Sequence, residues 1–148
     1  MNPGEEDIFF AAVGPPALSR LRVSPRAFRP ASVGGSTAVR SGKGTTVRYR
    51  DSMTALTTFT VQRSVRGYRV GRRCASRRPR HAHGARRCLV VITSGRFTRQ
   101  DKAGRNTFHF TGRVSNHKLP KGTDTLRAIP ALAGRLGAEL TTRFTIKG

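Results

Sequence analysis

Between Thr45 and the end of the chain, apolar and polar residues alternate in short runs. Alternation with a period of two predicts half-buried β-strands, and the runs are rich in the β-branched and aromatic residues that strands favour. Turn residues separate the runs, and proline and glycine interrupt residues 129–140, where a helix would otherwise be considered. About seven strands are therefore predicted, at residues 45–50, 56–63, 68–70, 89–93, 106–110, 126–129 and 142–146.

The spacing and number of these strands predict an all-β fold, an antiparallel β-sandwich over residues 45–148. Before it, we expect a disordered segment at residues 1–17 and a linker at residues 18–44 with a candidate edge strand near residues 20–26. Pro130 should confine its segment to an edge or a bulge, because proline lacks the N–H of a ladder. Alternation alone gives the predicted core-facing set, Phe59, Val61, Val91, Phe108, Phe110 and Phe144.

Composition limits the classes of function. The chain has 148 residues, about one domain, and no apolar run near the ~20 residues that a membrane span needs. Its seven acidic residues provide no pair suited to general acid and base catalysis. We expect Asp51, Asp101 and Asp124 to cap turns, and the four histidines have no nucleophile beside them. These observations argue against an enzyme and imply no cofactor.

The two cysteines, Cys74 and Cys88, flank a loop without core-forming residues. We predict a disulfide, which would place the two Cα atoms about 4.4–6.8 Å apart. Two unrelated reduced thiols are the alternative. Zinc held by Cys74, His81, His83 and Cys88 is a further alternative, but the spacing lacks the close ligand pairs of zinc sites.

The net charge of +22 comes from 29 Lys and Arg against 7 Asp and Glu. The stretch from Arg63 to Arg87 contains arginines and no acid, and arginine binds phosphate and carboxylate bidentately. This charge favours binding to polyanions that depends on salt and not on sequence. The bias towards arginine also follows from a GC-rich genome, whatever the function. The candidate polyanion-binding residues are Arg72, Arg73, Arg77, Arg78, Arg80, Arg86 and Arg87.

An ordered string of short motifs extends through the chain: RVGRRC at 69–74, RRC at 86–88, GRFT at 95–98, GRN at 104–106, FTGR at 110–113 and FTI at 144–146. Over residues 18–147 this string resembles the Arg-rich, two-cysteine C-terminal module of uncharacterised exported proteins from high-GC actinobacteria. The resemblance implies an immunoglobulin-like or fibronectin-type sandwich with the cysteines bridged across a hairpin loop. It implies no enzymatic activity, metal or cofactor.

The expected location follows from two signals that oppose each other. Residues 8–13 form an apolar run that follows an acidic segment, and this run is too short for a secretory signal. The predicted disulfide favours an oxidising compartment, so we expect a secreted or cell-surface chain that is part of a longer protein.

We therefore expect a non-enzymatic structural or adhesive module with affinity for anionic cell-wall polymer or non-specific nucleic acid. The alternative is a small cytoplasmic nucleic-acid-binding protein that uses the Arg63–Arg87 stretch.

Overall fold

The computed structural model describes residues 14–39, 42–77 and 86–148. In this part of the chain there is no helix, and hence none long and apolar enough to cross a lipid bilayer. The strands are β1 (Leu18–Ser24), β2 (Ala27–Phe28), β3 (Thr37–Ala38), β4 (Thr45–Asp51), β5 (Leu56–Val70), β6 (Arg73–Ala75), β7 (Arg87–Gln100), β8 (Gly104–Phe110), β9 (Arg113–Val114), β10 (His117–Lys118), β11 (Gly122–Leu132), β12 (Arg135–Leu136) and β13 (Leu140–Ile146).

The strands form two main sheets that pack face to face. One sheet has the order β1-β4-β8-β3. The other has the order β2-β13-β11-β5, with β7 beside the outer edge of β5. The pairs within both sheets are antiparallel, except that the short β2 runs parallel to β13. The predicted all-β antiparallel sandwich is confirmed.

Aromatic side chains fill the space between the sheets. The Phe59 ring packs edge-on against Phe108, with ring centroids 5.0 Å apart. The Phe97 ring stacks on Phe110 at 5.5 Å, and Phe110 meets Phe144 edge-on at 5.5 Å. Offset and edge-on contacts of this kind stabilise a core beyond the burial of apolar area alone. The phenylalanines thus join the two sheets into one core.

The core prediction is confirmed at five positions and wrong at one. Phe59, Val61, Phe108, Phe110 and Phe144 are buried, whereas the side chain of Val91 is exposed. The cause is a β-bulge. Residue 61 pairs with residue 95, but residue 62 pairs with residue 93, so one extra residue of β7 interrupts the ladder. A slip of one residue moves every following side chain to the opposite face of a sheet.

Residues 18–39 contribute more than the predicted linker with one candidate edge strand. β1 is the predicted edge strand, and its Leu18 and Val23 are buried. Phe28 of β2 is buried as well, and its ring stacks on Phe144 at 5.5 Å. Sequence alternation missed this packing because a register shift between Ser19 and Arg22 interrupts the period in β1, and β2 has only two residues. Residues 1–13, which belong to the predicted disordered segment, lie outside the described residues.

Pro130 lies in β11, which has β5 on one side and β13 on the other. The prediction of an edge or a bulge was therefore wrong for the strand as a whole, although it holds locally. The ladder to β13 ends at Ala128, and Pro130 is paired with β5 alone. Its carbonyl accepts a hydrogen bond from the Gly137 N–H at 2.8 Å. The backbone nitrogen of Pro130 faces the same edge of β11 as this carbonyl, where the ladder to β13 has already ended. The N–H that proline lacks therefore removes no ladder hydrogen bond.

Candidate polyanion-binding arm

Two long strands extend past the sandwich and form what we call the arm. It comprises β5 from residue 63, β6, and the paired start of β7. The pairing of β5 with β11 ends at Gln62, whereas its pairing with β7 continues to Tyr68. At about 3.3 Å per residue, β5 continues roughly 25 Å beyond its last contact with β11. The arm therefore presents its side chains away from the core.

The end of the arm turns tightly. Residues 71 and 72 form a two-residue loop between the paired residues 70 and 73. Gly71 occupies the first loop position with a φ of 61°, a conformation that glycine adopts at little cost. This turn folds β6 back along β5, and Cys74 comes to lie opposite Arg69.

Cys74 and Cys88 form a disulfide, with Cα atoms 5.9 Å apart. This agrees with the predicted separation. Cys88 pairs with Gly67 on β5, so the bridge joins β6 to β7 beside that glycine. A Cβ atom at Gly67 would lie 2.9 Å from the Cys74 sulfur and closer still to the Ala75 backbone. The absence of a side chain at residue 67 is what allows this approach.

The bridge holds together the two ends of the loop that, with the turn before it, carries the candidate arginines. Arg72 and Arg73 lie at the turn, Arg77 follows β6, Arg86 directly precedes β7, and Arg87 begins it. All five are exposed. The Arg86 carbonyl also accepts a hydrogen bond from the Arg69 N–H at 2.8 Å, which fixes the start of β7 against β5.

Some predicted residues lie outside the described part of the chain. Arg78 and Arg80 of the polyanion set belong there, as do His81 and His83 of the zinc alternative. The zinc alternative is nevertheless wrong for the other two ligands, because disulfide-bonded cysteines supply no thiolate to a metal. Among the described residues, no cluster of three or more His, Cys, Asp or Glu could hold a metal ion.

Sequence reasoning missed the arrangement of the outer face of the arm. Residues that are opposite each other in an antiparallel pair share a face, so Arg66 lies beside Leu89 and Tyr68 beside Arg87. The Arg87 guanidinium carbon lies 4.6 Å from the centre of the Tyr68 ring. This cation–π contact orients a cation on an exposed surface. Knowledge of the register between β5 and β7 would have been needed to predict this contact.

Arg63, with which the basic stretch begins, is bound within the protein. Its guanidinium donates two hydrogen bonds of 2.8 Å to the carboxylate of Asp124. It also donates to the carbonyl groups of Pro120 and Lys121, at 2.8 and 3.0 Å. The hydrogen bond with Asp124, and then the charge of that carboxylate, raise the pKa of Arg63 above its ordinary value. Arg63 therefore fixes the base of the arm to the sandwich.

The acidic residues also differ from the prediction of simple turn caps. Asp51, Asp101 and Asp124 are all buried. The Asp101 carboxylate accepts hydrogen bonds from the hydroxyl groups of Tyr49 and Thr57. Asp51 accepts one from the Met53 N–H, as a cap would, but no N–H or O–H group of another described residue donates to its buried Oδ2 atom. Burial is the main cause, and hydrogen bonding with Asp101 the second, of a rise in the pKa of Asp51 from 3.8 to about 6.

The raised pKa lets Asp51 hold a proton up to about pH 6, yet the placement of this carboxyl limits its chemistry. Asp51 and Asp101 are 3% and 1% exposed, so a substrate cannot reach either group in this conformation. Burial, and then hydrogen bonding to Asp101, also raises the pKa of Tyr49 well above its ordinary value. Asp51 therefore links the stability of the sandwich to pH.

A second basic surface lies on the outer face of the β1-β4-β8 sheet. Arg22 is directly opposite Arg48, and Arg50 is opposite Arg105. Like charges in this arrangement repel each other. The residues border a shallow depression of about 330 Å³, in whose described lining no acidic side chain occurs. No local pattern in the sequence marks this surface, because these arginines are far apart along the chain. The arginines of this sheet surface are Arg20, Arg22, Arg48, Arg50 and Arg105.

Fold and site together define a β-sandwich with a disulfide-closed, arginine-rich arm. No protein-family model and no curated protein matches this chain. Its function is therefore inferred from the geometry and charge of its own residues.

Proposed function

We propose that this chain is a non-enzymatic module of a secreted or cell-surface protein, with a structural or adhesive role. Its arm binds anionic polymers through charge and not through sequence. The observation that carries the proposal is the arm itself, in which a disulfide gathers exposed arginines beyond the sandwich. Residues 64–100 contain no aspartate or glutamate to neutralise them.

The chemistry of arginine supports an anionic partner. A guanidinium presents a planar set of donors that matches phosphate and carboxylate oxygens. Arg63 shows this geometry within the protein, where it binds the Asp124 carboxylate with both 2.8 Å bonds. The arm arginines are solvated, and their attraction for a polyanion is long-range and sensitive to salt.

The disulfide also supports the proposed location. Such bridges persist in secreted and surface proteins and are rare in reducing cytoplasm. This favours an exported module over a small cytoplasmic nucleic-acid-binding protein. Binding of nucleic acid by the same arm would then be a consequence of its charge, because its described residues provide one half-buried tyrosine, Tyr68, for stacking on bases.

We also propose that the module is immunoglobulin-like or fibronectin-like and of actinobacterial type. The strand order supports the first part. Strands β1, β4 and β8 face a second sheet of β13, β11, β5 and β7, with β2 added parallel at its edge. Sandwiches of this kind commonly serve as surface modules, although the fold by itself assigns no function.

The test is the salt dependence of binding to duplex DNA and to an acidic wall polymer. Each phosphate neutralised on duplex DNA contributes about −0.9 to the slope of log K against log salt. Substitution of Arg72, Arg73 and Arg77 by alanine should remove up to three such contacts. Affinity for unrelated DNA sequences and for the wall polymer should fall together.

A charge-matched control separates the arm from the protein's overall charge. Substitution of Arg22, Arg50 and Arg105 by alanine removes the same charge from the sheet surface. If binding is localised on the arm, this control changes the slope much less. Equal changes in the two variants would contradict a role for the arm. Discrimination of a thousandfold or more for one DNA sequence would instead support the nucleic-acid-binding alternative.

A further inference from the structure

Charge alone does not explain the aliphatic side chains on the arm. Leu89 is 69% exposed and Val91 is 59% exposed. Both lie on the outer face, two residues apart on β7, opposite Arg66 and Ser64 of β5. Exposed apolar residues are ordinary when they are isolated, but adjacent ones among charges mark a contact surface.

The structure also shows which kind of contact fits this face. Its aliphatic residues alternate in space with cations, since Arg66 lies beside Leu89 and Arg87 is two residues before it. A second copy of the arm would bring the same arginines together without a counter-charge, and the chain carries +22 overall. A soluble polyanion would satisfy the arginines and leave the aliphatic groups in water. An anionic bilayer surface supplies phosphates and, just beneath them, hydrocarbon.

We propose that the outer face of the arm docks on anionic lipid bilayers. Leu89 and Val91 enter the boundary between headgroups and acyl chains, while Arg66 and Arg87 remain at the level of the phosphates. Long arginine side chains can place their aliphatic part along apolar surface and keep the charged end in polar surroundings. The proposal rests on the charge-based role of the arm described above, and it adds a hydrophobic contribution that charge does not provide.

The arm is suited to such docking because its outer face lies beyond the last pair that β5 makes with β11. The disulfide closes its end, and the β5–β7 ladder continues without interruption from residue 62 to residue 68. Docking therefore requires no strand to leave the sandwich. Pre-organisation of this kind lowers the entropic cost of binding.

The first experiment measures co-sedimentation with vesicles of phosphatidylglycerol and phosphatidylcholine, and with pure phosphatidylcholine vesicles, at low and physiological salt. The test variant carries Leu89→Thr and Val91→Thr, which preserve strand propensity and remove aliphatic surface. The control variant carries Val33→Thr and Leu136→Thr, at positions 80% and 68% exposed on the sandwich. Binding of both variants to soluble polyphosphate is measured in parallel.

We expect the test variant to bind anionic vesicles about tenfold or more weakly, with the difference persisting at physiological salt. Its binding to polyphosphate should not change, and the control variant should behave like the unmodified protein. If the test variant binds anionic vesicles as tightly as the unmodified protein does, and still binds polyphosphate, the lipid inference is overturned and the polyanion proposal stands. If the unmodified protein does not bind polyphosphate, the polyanion proposal itself is overturned.

A second readout uses the tyrosines. The chain has no tryptophan and two tyrosines, of which Tyr49 is buried and Tyr68 lies on the outer face. Phosphatidylglycerol with brominated acyl chains should quench the emission of Tyr68, and Tyr68→Phe should remove the quenched component. Binding without quenching would place the arm above the phosphates and overturn the insertion step.

Discussion

The sandwich and the arm share two strands, but different interactions stabilise them. Within the sandwich, β5 has neighbours on both edges, and its Phe59 and Val61 are fully buried. Beyond Gln62 the same strand leaves β11, and its side chains include exposed arginines. A β-bulge on β7 lies at this junction. One continuous strand thus passes from a core environment to a surface environment within a few residues.

This difference shows what each region needs from its sequence. The sandwich needs apolar volume, because the burial of its phenylalanines is the main source of its stability. The arm buries little apolar surface and relies on ladder hydrogen bonds, the disulfide and the anchor at Arg63. Stability should therefore be sensitive to substitutions in the core and less sensitive to those on the arm, whereas binding should show the reverse.

The largest expected effect is in the core. Phe59→Ala removes a ring that contacts Tyr49, Phe97 and Phe108, and should lower the free energy of unfolding by about 3–5 kcal/mol. The matched control, Val91→Ala on the same sheet, should cost less than about 0.5 kcal/mol because that side chain is exposed. Urea unfolding measures both. Equal costs would show that sandwich and arm do not differ in this way.

The junction should give the next largest effect. Arg63→Ala leaves the buried Asp124 carboxylate without its counter-charge, which should cost about 3 kcal/mol. The double variant Arg63→Met with Asp124→Leu removes both charges and should recover most of that loss. A double-mutant cycle by chemical unfolding measures the coupling. A double variant no more stable than Arg63→Ala would show that packing, and not the unpaired charge, dominates.

The buried carboxyl pair should make the sandwich sensitive to pH. The folded-state pKa of Asp51 is about 6, above its ordinary 3.8, so the folded protein binds this proton more tightly than the unfolded chain. The resulting stabilisation is fully present below about pH 4 and is lost as the pH rises to about 6. Asp51→Asn should remove this dependence and gain on the order of 2 kcal/mol relative to the unmodified protein at pH 7.

Unfolding measured from pH 4 to pH 8 tests the carboxyl pair, with the difference between the two proteins as the readout. This difference excludes contributions from other groups. If it is constant across the range, Asp51 does not titrate as its surroundings imply.

Removal of the disulfide should have the smallest effect on the sandwich. Cys74→Ser with Cys88→Ser should change the free energy of unfolding of the sandwich by less than about 1 kcal/mol, because the disulfide lies outside the core. Cleavage by trypsin near Arg72 and Arg73 should become much faster. Rapid cleavage with an intact sandwich is the expected result. Global unfolding at a much lower denaturant concentration would show that sandwich and arm are one cooperative unit.

Much of the sandwich could be predicted from local patterns. Phe108 and Phe110 alternate with polar neighbours, so β8 and its buried face were evident before any pairing was known. The two cysteines likewise bounded a loop with no residue that could join a core. The exposed face of Val91 was not predictable, because an extra residue in one strand depends on the partner strand and leaves no mark in the alternation.

The candidate site was predictable in composition and not in arrangement. The arginines of the arm were evident as a basic stretch, but Arg63 belongs to it in sequence and to the sandwich in space. The cation–π contact of Arg87 with Tyr68 arises from register across two strands. The five arginines of the sheet surface come from three strands and had no local signature.

The sequence by itself determined the all-β class and most of the core-facing residues, because alternation and turn residues act over a few neighbouring positions. The tertiary structure alone decided which arginine is paired, which aliphatic residues are exposed, and which carboxyl has a raised pKa. Each of these depends on two residues far apart in the chain. Arg63 and Asp124 meet only when β5 pairs with β11, and Asp51 is buried beside Asp101 only when the two sheets pack, which raises the pKa of Asp51.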